Sequence, residues 1–179
     1  MEIQFNTDKK YQIIYADPPW NYSNKVSNGA AVNHYRTMTF KEIESMPVNQ
    51  LADDDCVLFM WVTSPILDKA LEVIKAWGFK YKTIGFNWVK TNKKQTDKYF
   101  FGCGNWTRAN SEICLIATRG KPKRANASVS QIIVEPIQHH SKKPDVVREK
   151  IVELMGDLPR IELFARNTTD GWDVWGNEV

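Results

Sequence analysis

Cysteine is scarce in this 179-residue chain, and none of it is paired by spacing. The three cysteines, Cys56, Cys103 and Cys114, contain no CxxC pair, and their odd number argues against a disulfide framework. Histidine is equally rare: His139-His140 has no spaced cysteine or histidine pair nearby, so a zinc site has little support and no metal is expected. No apolar run approaches the length that spans a bilayer. The N-terminal "MEIQFNTDKK" has no charged-then-apolar leader, so the expectation is a cytoplasmic, reducing home. Low-complexity linkers and internal repeats are missing too, which points to one domain of ordinary size. A hydrophobic fraction of 42% with 12% aromatics fits a globular core and excludes a disordered chain.

Acidic residues are thin in one region. Between Lys80 and Arg124 stand Lys80, Lys82, Lys90, Lys93, Lys94, Lys98, Arg108, Arg119, Lys121, Lys123 and Arg124, opposed only by Asp97 and Glu112. A charge run of this kind is either a solvated basic face or an edge that meets a polyanion, and charge alone does not choose.

Periodicity supplies the elements. Tyr11–Ala16 is a short buried strand stopped by Asp17, and "NKVSNGAAVNHY" is a loop. "TFKEIESMP" carries a capping box, Thr39 with Glu42 three residues on, and ends before Pro47. "CVLFMWVT" (56–63) is continuously apolar and reads as a strand buried on both faces. "SPILDKALEVIKAWG" (64–78) is a helix with a serine cap, an apolar stripe at Leu67, Leu71, Ile74 and Trp77, and Gly78 at its end. "KTIGFNWVK", "SEICLIATRG", "IIVEPI" and "RIELFAR" are further strands; "KPDVVREKIVELMG" (143–156) is an amphipathic helix; "GWDVWGNEV" is an aromatic tail. Doubly buried strands alternating with amphipathic helices predict an α/β fold, a mostly parallel sheet with helices on both faces. Ligands of such sheets bind at the carboxyl ends of the strands, where Asp17 and the Arg166–Asn167 segment fall.

The tetrapeptide Asp17-Pro18-Pro19-Trp20 is the sharpest feature. An Asp-Pro-Pro turn can simply end a strand, with Trp20 as a core residue. It also suits a particular chemistry. The exocyclic amine of adenine is a poor nucleophile because its lone pair is delocalised into the ring. The Asp17 carboxylate and the Pro18 carbonyl, held by rigid backbone, can accept its two hydrogens and aim the lone pair, with Trp20 stacked on the base. A base in a duplex must first be flipped out. Asp17 is then an orienter and late proton acceptor. Cys103, between two glycines, is no nucleophile candidate, since no base is tied to it.

"ADPPW" with "HYRTM", "CVLFMWVTS", "NWVKTN", "FGCGNW", "SEICLIATRGKP", "HSKKPD", "IELFAR" and "WGNE", in this order, resemble the MT-A seventy family of N6-adenine methyltransferases, over Lys10 to Glu178. The resemblance implies a Rossmann-like, S-adenosylmethionine-dependent methyltransferase in permuted order, the target-base half first and the cofactor half last. It assigns catalysis to Asp17, Pro18, Pro19 and Trp20. Substrate contact falls to Trp20 and Tyr35, with Lys90 and Arg108 from the basic cluster. Cofactor contact falls to Asp17, Lys143, Arg166, Asn167, Asn177 and Glu178. Lys143 is the lysine of "KKPD", expected at a helix N-terminus that attracts anions; Glu178 can accept from ribose hydroxyls. Longer relatives carry an acidic segment before the Asp-Pro-Pro-Trp strand, for which this chain offers only Glu2 and Asp8.

The core uses nearly all 179 residues, so no separate target-recognition domain fits. Nucleic-acid contact is assigned to the basic loops 91–110 and 120–131, read as a phosphate-contacting rim. DNA is the leading polymer. Methylation of RNA adenine, methylation of cytosine, and a catalytically silent nucleic-acid-binding subunit are the alternatives, and pairing with itself or a second chain stays open.

Overall fold

The computed structural model describes residues 3–21, 37–104, 106–138, 141–177 and 179. The expectations for the loop at 24–35, for Tyr35, for His139-His140 and for Glu178 lie outside the described residues.

Seven strands form one sheet: β1 (Tyr11–Ala16), β2 (Ala52–Val62), β3 (Lys80–Thr91), β4 (Ser111–Arg119), β5 (Ile132–Pro136), β6 (Arg160–Leu163) and β7 (Asp173–Trp175), in the order β5-β3-β4-β2-β1-β6-β7. Every pairing is parallel except the two made by β4, which runs against both β2 and β3. This is the α/β, mostly parallel sheet that the apolar runs predict.

The doubly buried strands have a simple cause. Alternate residues of β1 and β2 feed two cores. Ile14, Ala16, Leu58, Met60 and Val62 face one core, with Ile43 of helix α1 (Phe40–Glu44) and Ala70, Val73 and Ile74 of α2 (Leu67–Ala76). Ile13, Tyr15, Val57, Phe59 and Trp61 face the other, with Val147, Ile151 and Met155 of α3 (Val146–Met155). With both faces covered, neither strand has a polar side to alternate.

The capping box forms as read: the Glu42 backbone N–H donates to Thr39 Oγ1 at 3.2 Å, and Thr39 N–H donates to the Glu42 carboxylate at 2.7 Å. Other boundaries differ. Ser64 is not a cap. It opens a 3-10 turn, Ser64–Ile66, that precedes α2, because Pro65 starts the turn without a side-chain cap. Ile74 and Trp77 of the expected stripe are buried and Leu67 packs against the same core, but Leu71 is exposed, and Ala70 and Val73 complete the buried face. Helix α3 begins at Val146, which leaves Lys143 in the loop before it and not in a helical first turn. Strand β2 starts four residues before Cys56, and "RIELFAR" leaves the sheet at Leu163, where Phe164 adopts φ 62°. The aromatic tail contributes β7, paired with β6.

The reversed direction of β4 also splits the basic rim. Loop 91–110 joins the carboxyl end of β3 to the start of β4, on the edge where β1 ends. Loop 120–131 leaves the other end of β4 and so borders the opposite edge, where Lys121 and Lys123 share a cavity of about 280 Å³ with Gln12 and Leu158. The two loops do not form one rim. No helix among the described residues is long and apolar enough to cross a membrane.

Candidate active site

Asp17 is the first residue past β1, and the next residues are pinned tightly. Trp20 N–H donates to the Pro18 carbonyl at 2.8 Å, closing a three-residue turn. Met38 N–H donates to the Pro19 carbonyl at 2.9 Å, and Asn21 N–H donates to the Met38 carbonyl at 3.2 Å. Two prolines without N–H groups leave this turn few alternatives. Trp20 is 4% exposed, its indole N–H donates to the Trp61 carbonyl at 3.1 Å, and its ring lies 5.8 Å from Phe40. It is therefore a wall of the site. Of the two readings the sequence left, a core residue and an open stacking surface, its burial against Phe40 of α1 matches the first.

Four charged side chains converge beside the turn. Lys143 Nζ lies 2.9 Å from Asp17 Oδ2, 3.4 Å from Glu112 Oε2 and 3.3 Å from the Ser141 carbonyl, above the Trp61 ring at 5.6 Å. Its side chain is only 8% exposed. Lys90 pairs with the other oxygen of Glu112 and sits 4.9 Å over Trp88. Two carboxylates and two ammonium groups thus balance in a part-buried corner, where an unpaired charge is costly. A small cavity of about 40 Å³ opens between Asp17, Trp61, Glu112 and Lys143. Burial raises the Asp17 carboxyl above its ordinary value, and the Lys143 ammonium pulls it part of the way back. Burial acts the same way on Glu112, but Lys143 and Lys90 together outweigh it and hold that carboxyl below its ordinary value.

Lys90, like Lys143, is thus already paired with a carboxylate, that of Glu112. Arg108 is exposed on loop 91–110 and makes no hydrogen bond or ion pair with the described residues. Arg166 is half-buried and its charge acts on Asp17, which places it at the same corner. Asn167 and Asn177 are exposed, on the segments that follow β6 and β7. These segments are tied together: Ala165 N–H donates to the Trp175 carbonyl at 3.0 Å. A Cβ on Gly176 would lie 2.1 Å from the Ala165 carbonyl oxygen, so glycine is required for that approach.

Two site residues had no separate signal in the sequence. Glu112 enters because β4 is reversed, which puts its second residue among the carboxyl ends of parallel strands. Thr63 follows β2, and its buried hydroxyl oxygen has no hydrogen-bond partner among the described residues. Among them there is also no group of three metal-ligating side chains. The site has cations for a carboxylate (Lys143, Arg166), an orphan hydroxyl (Thr63) and a close backbone approach at Gly176. That donor set fits an amino-acid-bearing nucleoside such as S-adenosylmethionine.

The MT-A70 family model matches residues 11–178. The chain is 35% identical over 191 residues to the type II methyltransferase M.MunI of Mycoplasma sp, covering 96% of this chain and 78% of that protein. It is 30% identical to the N(6)-adenosine-methyltransferase MT-A70-like protein of Drosophila melanogaster, covering 95% of this chain and 27% of that protein. It is also 30% identical to the human N(6)-adenosine-methyltransferase catalytic subunit METTL3, with 95% and 28% coverage. The chain spans about a quarter of the length of these last two.

Proposed function

The chain belongs to the MT-A70 family of adenine N6 methyltransferases, and on that premise we propose that it methylates the exocyclic amine of adenine in DNA, with S-adenosylmethionine as cofactor. The observation that carries the reading is Asp17 at the carboxyl end of β1, beside the rigid Pro18 carbonyl and the Lys143 ammonium. DNA is preferred over RNA because the type II methyltransferase is matched over most of its length and the adenosine methyltransferases over about a quarter. The proposal includes one methyltransferase domain acting in the cytoplasm, with the target-base half first and the cofactor half last. The nucleic acid is met on the loop 91–110 edge.

S-adenosylmethionine, when bound, supplies an electrophilic methyl group on a sulfonium. Lys143 and Arg166 would hold its carboxylate, and Asn167, Asn177 and Glu178 its ribose side. The protein's own work is orientation. Lys143 takes Asp17 Oδ2, and among the described residues Oδ1 carries no hydrogen bond. Oδ1 is thus available for one hydrogen of the amine. The Pro18 carbonyl gives one lone pair to Trp20 N–H and keeps a second, since a carbonyl oxygen has two. Together they fix the amine so that its lone pair faces the methyl group, and proximity lowers the barrier. Asp17 then receives the proton released as the nitrogen becomes secondary.

The reaction is tested by its product. Labelled S-adenosylmethionine is incubated with DNA or RNA, single- or double-stranded, and the digested nucleosides are read by mass spectrometry. Labelled N6-methyladenine from DNA is expected. Label only in RNA would move the substrate, label in cytosine would change the target, and no label in any polymer would refute the enzyme.

Asp17 must be ionised to accept, and its titration is raised. Activity is therefore expected to fall on acidification at a pH above the range of an ordinary aspartate. Stability has the opposite sense. Between the ordinary and the raised value the folded chain holds a proton that the unfolded chain has lost, so this group's contribution declines as pH rises through that window. A kcat/KM profile that stays flat down to the ordinary carboxylate range would contradict the assignment of Asp17.

A further inference from the structure

Loop 91–110 carries three large aromatic side chains in the open: Tyr99 is 56% exposed, Phe101 67% and Trp106 101%. On the same loop Lys93, Lys94, Lys98 and Arg108 are all exposed, against one acid, Asp97. The loop's surplus of three positive charges equals the +3 formal net charge of the whole chain, so everything outside it is electrically neutral.

The loop is a folded projection. Phe100 N–H donates to the Lys90 carbonyl at 2.8 Å, Lys90 N–H to Asn110 at 2.9 Å, and Gly102 N–H to Ala109 at 2.9 Å. Near its tip the backbone doubles back so closely that a Cβ on Gly104 would fall 1.8 Å from the Thr107 carbonyl oxygen. Its root is at Lys90 and Glu112, the ion pair beside Asp17. Aromatic faces held in water next to cations contribute nothing to either core. They match the surface that binds unpaired nucleic acid, where bases stack on rings and phosphates meet ammonium groups.

We propose that loop 91–110 is a stacking platform for unpaired bases of the strand that flanks the target adenine, with Trp106 as its main face. This rests on nucleic acid being the substrate. The lysines and Arg108 track the phosphates, and the rings take neighbouring bases without regard to sequence. A strand so held enters the site already unstacked, at the corner where Asp17 waits.

The test uses the full chain and a fluorescent oligothymidylate, which has no adenine to methylate. Trp106→Ala is expected to weaken binding by about tenfold or more, and Trp106→Phe to keep most of it. The salt dependence should be unchanged in Trp106→Ala. It should flatten by about two units of log-log slope when Lys93, Lys94 and Lys98 all become glutamine. Trp106 is fully exposed, so its removal leaves the fold intact, which circular dichroism checks. Equal affinity of parent and Trp106→Ala, or no binding by the parent, overturns the proposal. So does unchanged oligothymidylate binding with a dimer that dissociates on ultracentrifugation in Trp106→Ala, which would assign the rings to a second copy. Methylation of adenine-containing DNA, run alongside, separates the two readings. Methylation with no Trp106 effect on binding sinks the platform alone; a Trp106 effect with no methylation sinks the enzyme alone.

Discussion

Asp17→Ala is expected to lower methyl transfer by about 10²- to 10⁴-fold, the range for losing a positioned proton acceptor, while the chain stays folded and still binds nucleic acid. The reason is local. Asp17 sits on a turn whose shape is set by Pro18, Pro19 and the Met38 hydrogen bonds, none of which uses the carboxylate. Removing it leaves Lys143 with Glu112, so the buried ammonium keeps a partner. The loss should therefore appear in kcat and not in the melting temperature. Asp17→Asn is the finer probe: it keeps the shape and can still accept one hydrogen, but it cannot take the proton. Activity in Asp17→Ala within a few-fold of the parent would remove Asp17 from the mechanism.

Lys143→Met is the second large effect, and it should be seen in stability first. The ammonium lies between two carboxylates and is almost wholly shielded from water. Without it, Asp17 and Glu112 face each other with less compensation: Glu112 keeps Lys90, and Asp17 keeps the charge of Arg166. Breaking a buried charge cluster in this way costs about 3–5 kcal/mol. Asp17, already raised by burial, loses the neighbour that pulls it back, so the acid limb of the activity profile should move further toward neutral pH. Combining Lys143→Met with Glu112→Gln removes one of the two opposed charges and should recover part of the stability, a coupling that urea unfolding of the four variants measures. Equal stability of parent and Lys143→Met, with an unmoved acid limb, would show that the cluster is ornamental.

What the sequence could reveal here followed locality. β1 and the capping box of α1 were readable because a strand buried on both faces and an N-cap are decided within a few residues. Asp17 was readable for the same reason: the strand, the acid and the prolines are contiguous. Glu112 was not, since its membership of the site depends on β4 running against its neighbours, which no window of residues encodes. Lys143 was singled out, but its partners lie far away in sequence, and so the sequence pointed to a ligand where the structure first shows Asp17. Trp20 shows the opposite case: its motif left open a core residue or a stacking ring, and only long-range packing against Phe40 shows it buried. In α2, Ile74 and Trp77 were placed correctly, but Leu71 was chosen for the stripe on its hydrophobicity, while Ala70 and Val73 are the residues that face the core.

The antiparallel join between β3 and β4 has a wider consequence. Parallel neighbours must be linked by a crossover, and altering that link disturbs a layer of the fold. A hairpin between antiparallel strands only has to return, and the entropy of closing a longer return grows slowly with its length. The segment from 92 to 110 can therefore be lengthened, shortened or exchanged with little cost to the sheet, while Lys90 and Glu112 stay fixed at its two roots. The corner that holds Asp17 and the hairpin beside it are thereby separable in heredity: one can stay unchanged while the other is exchanged.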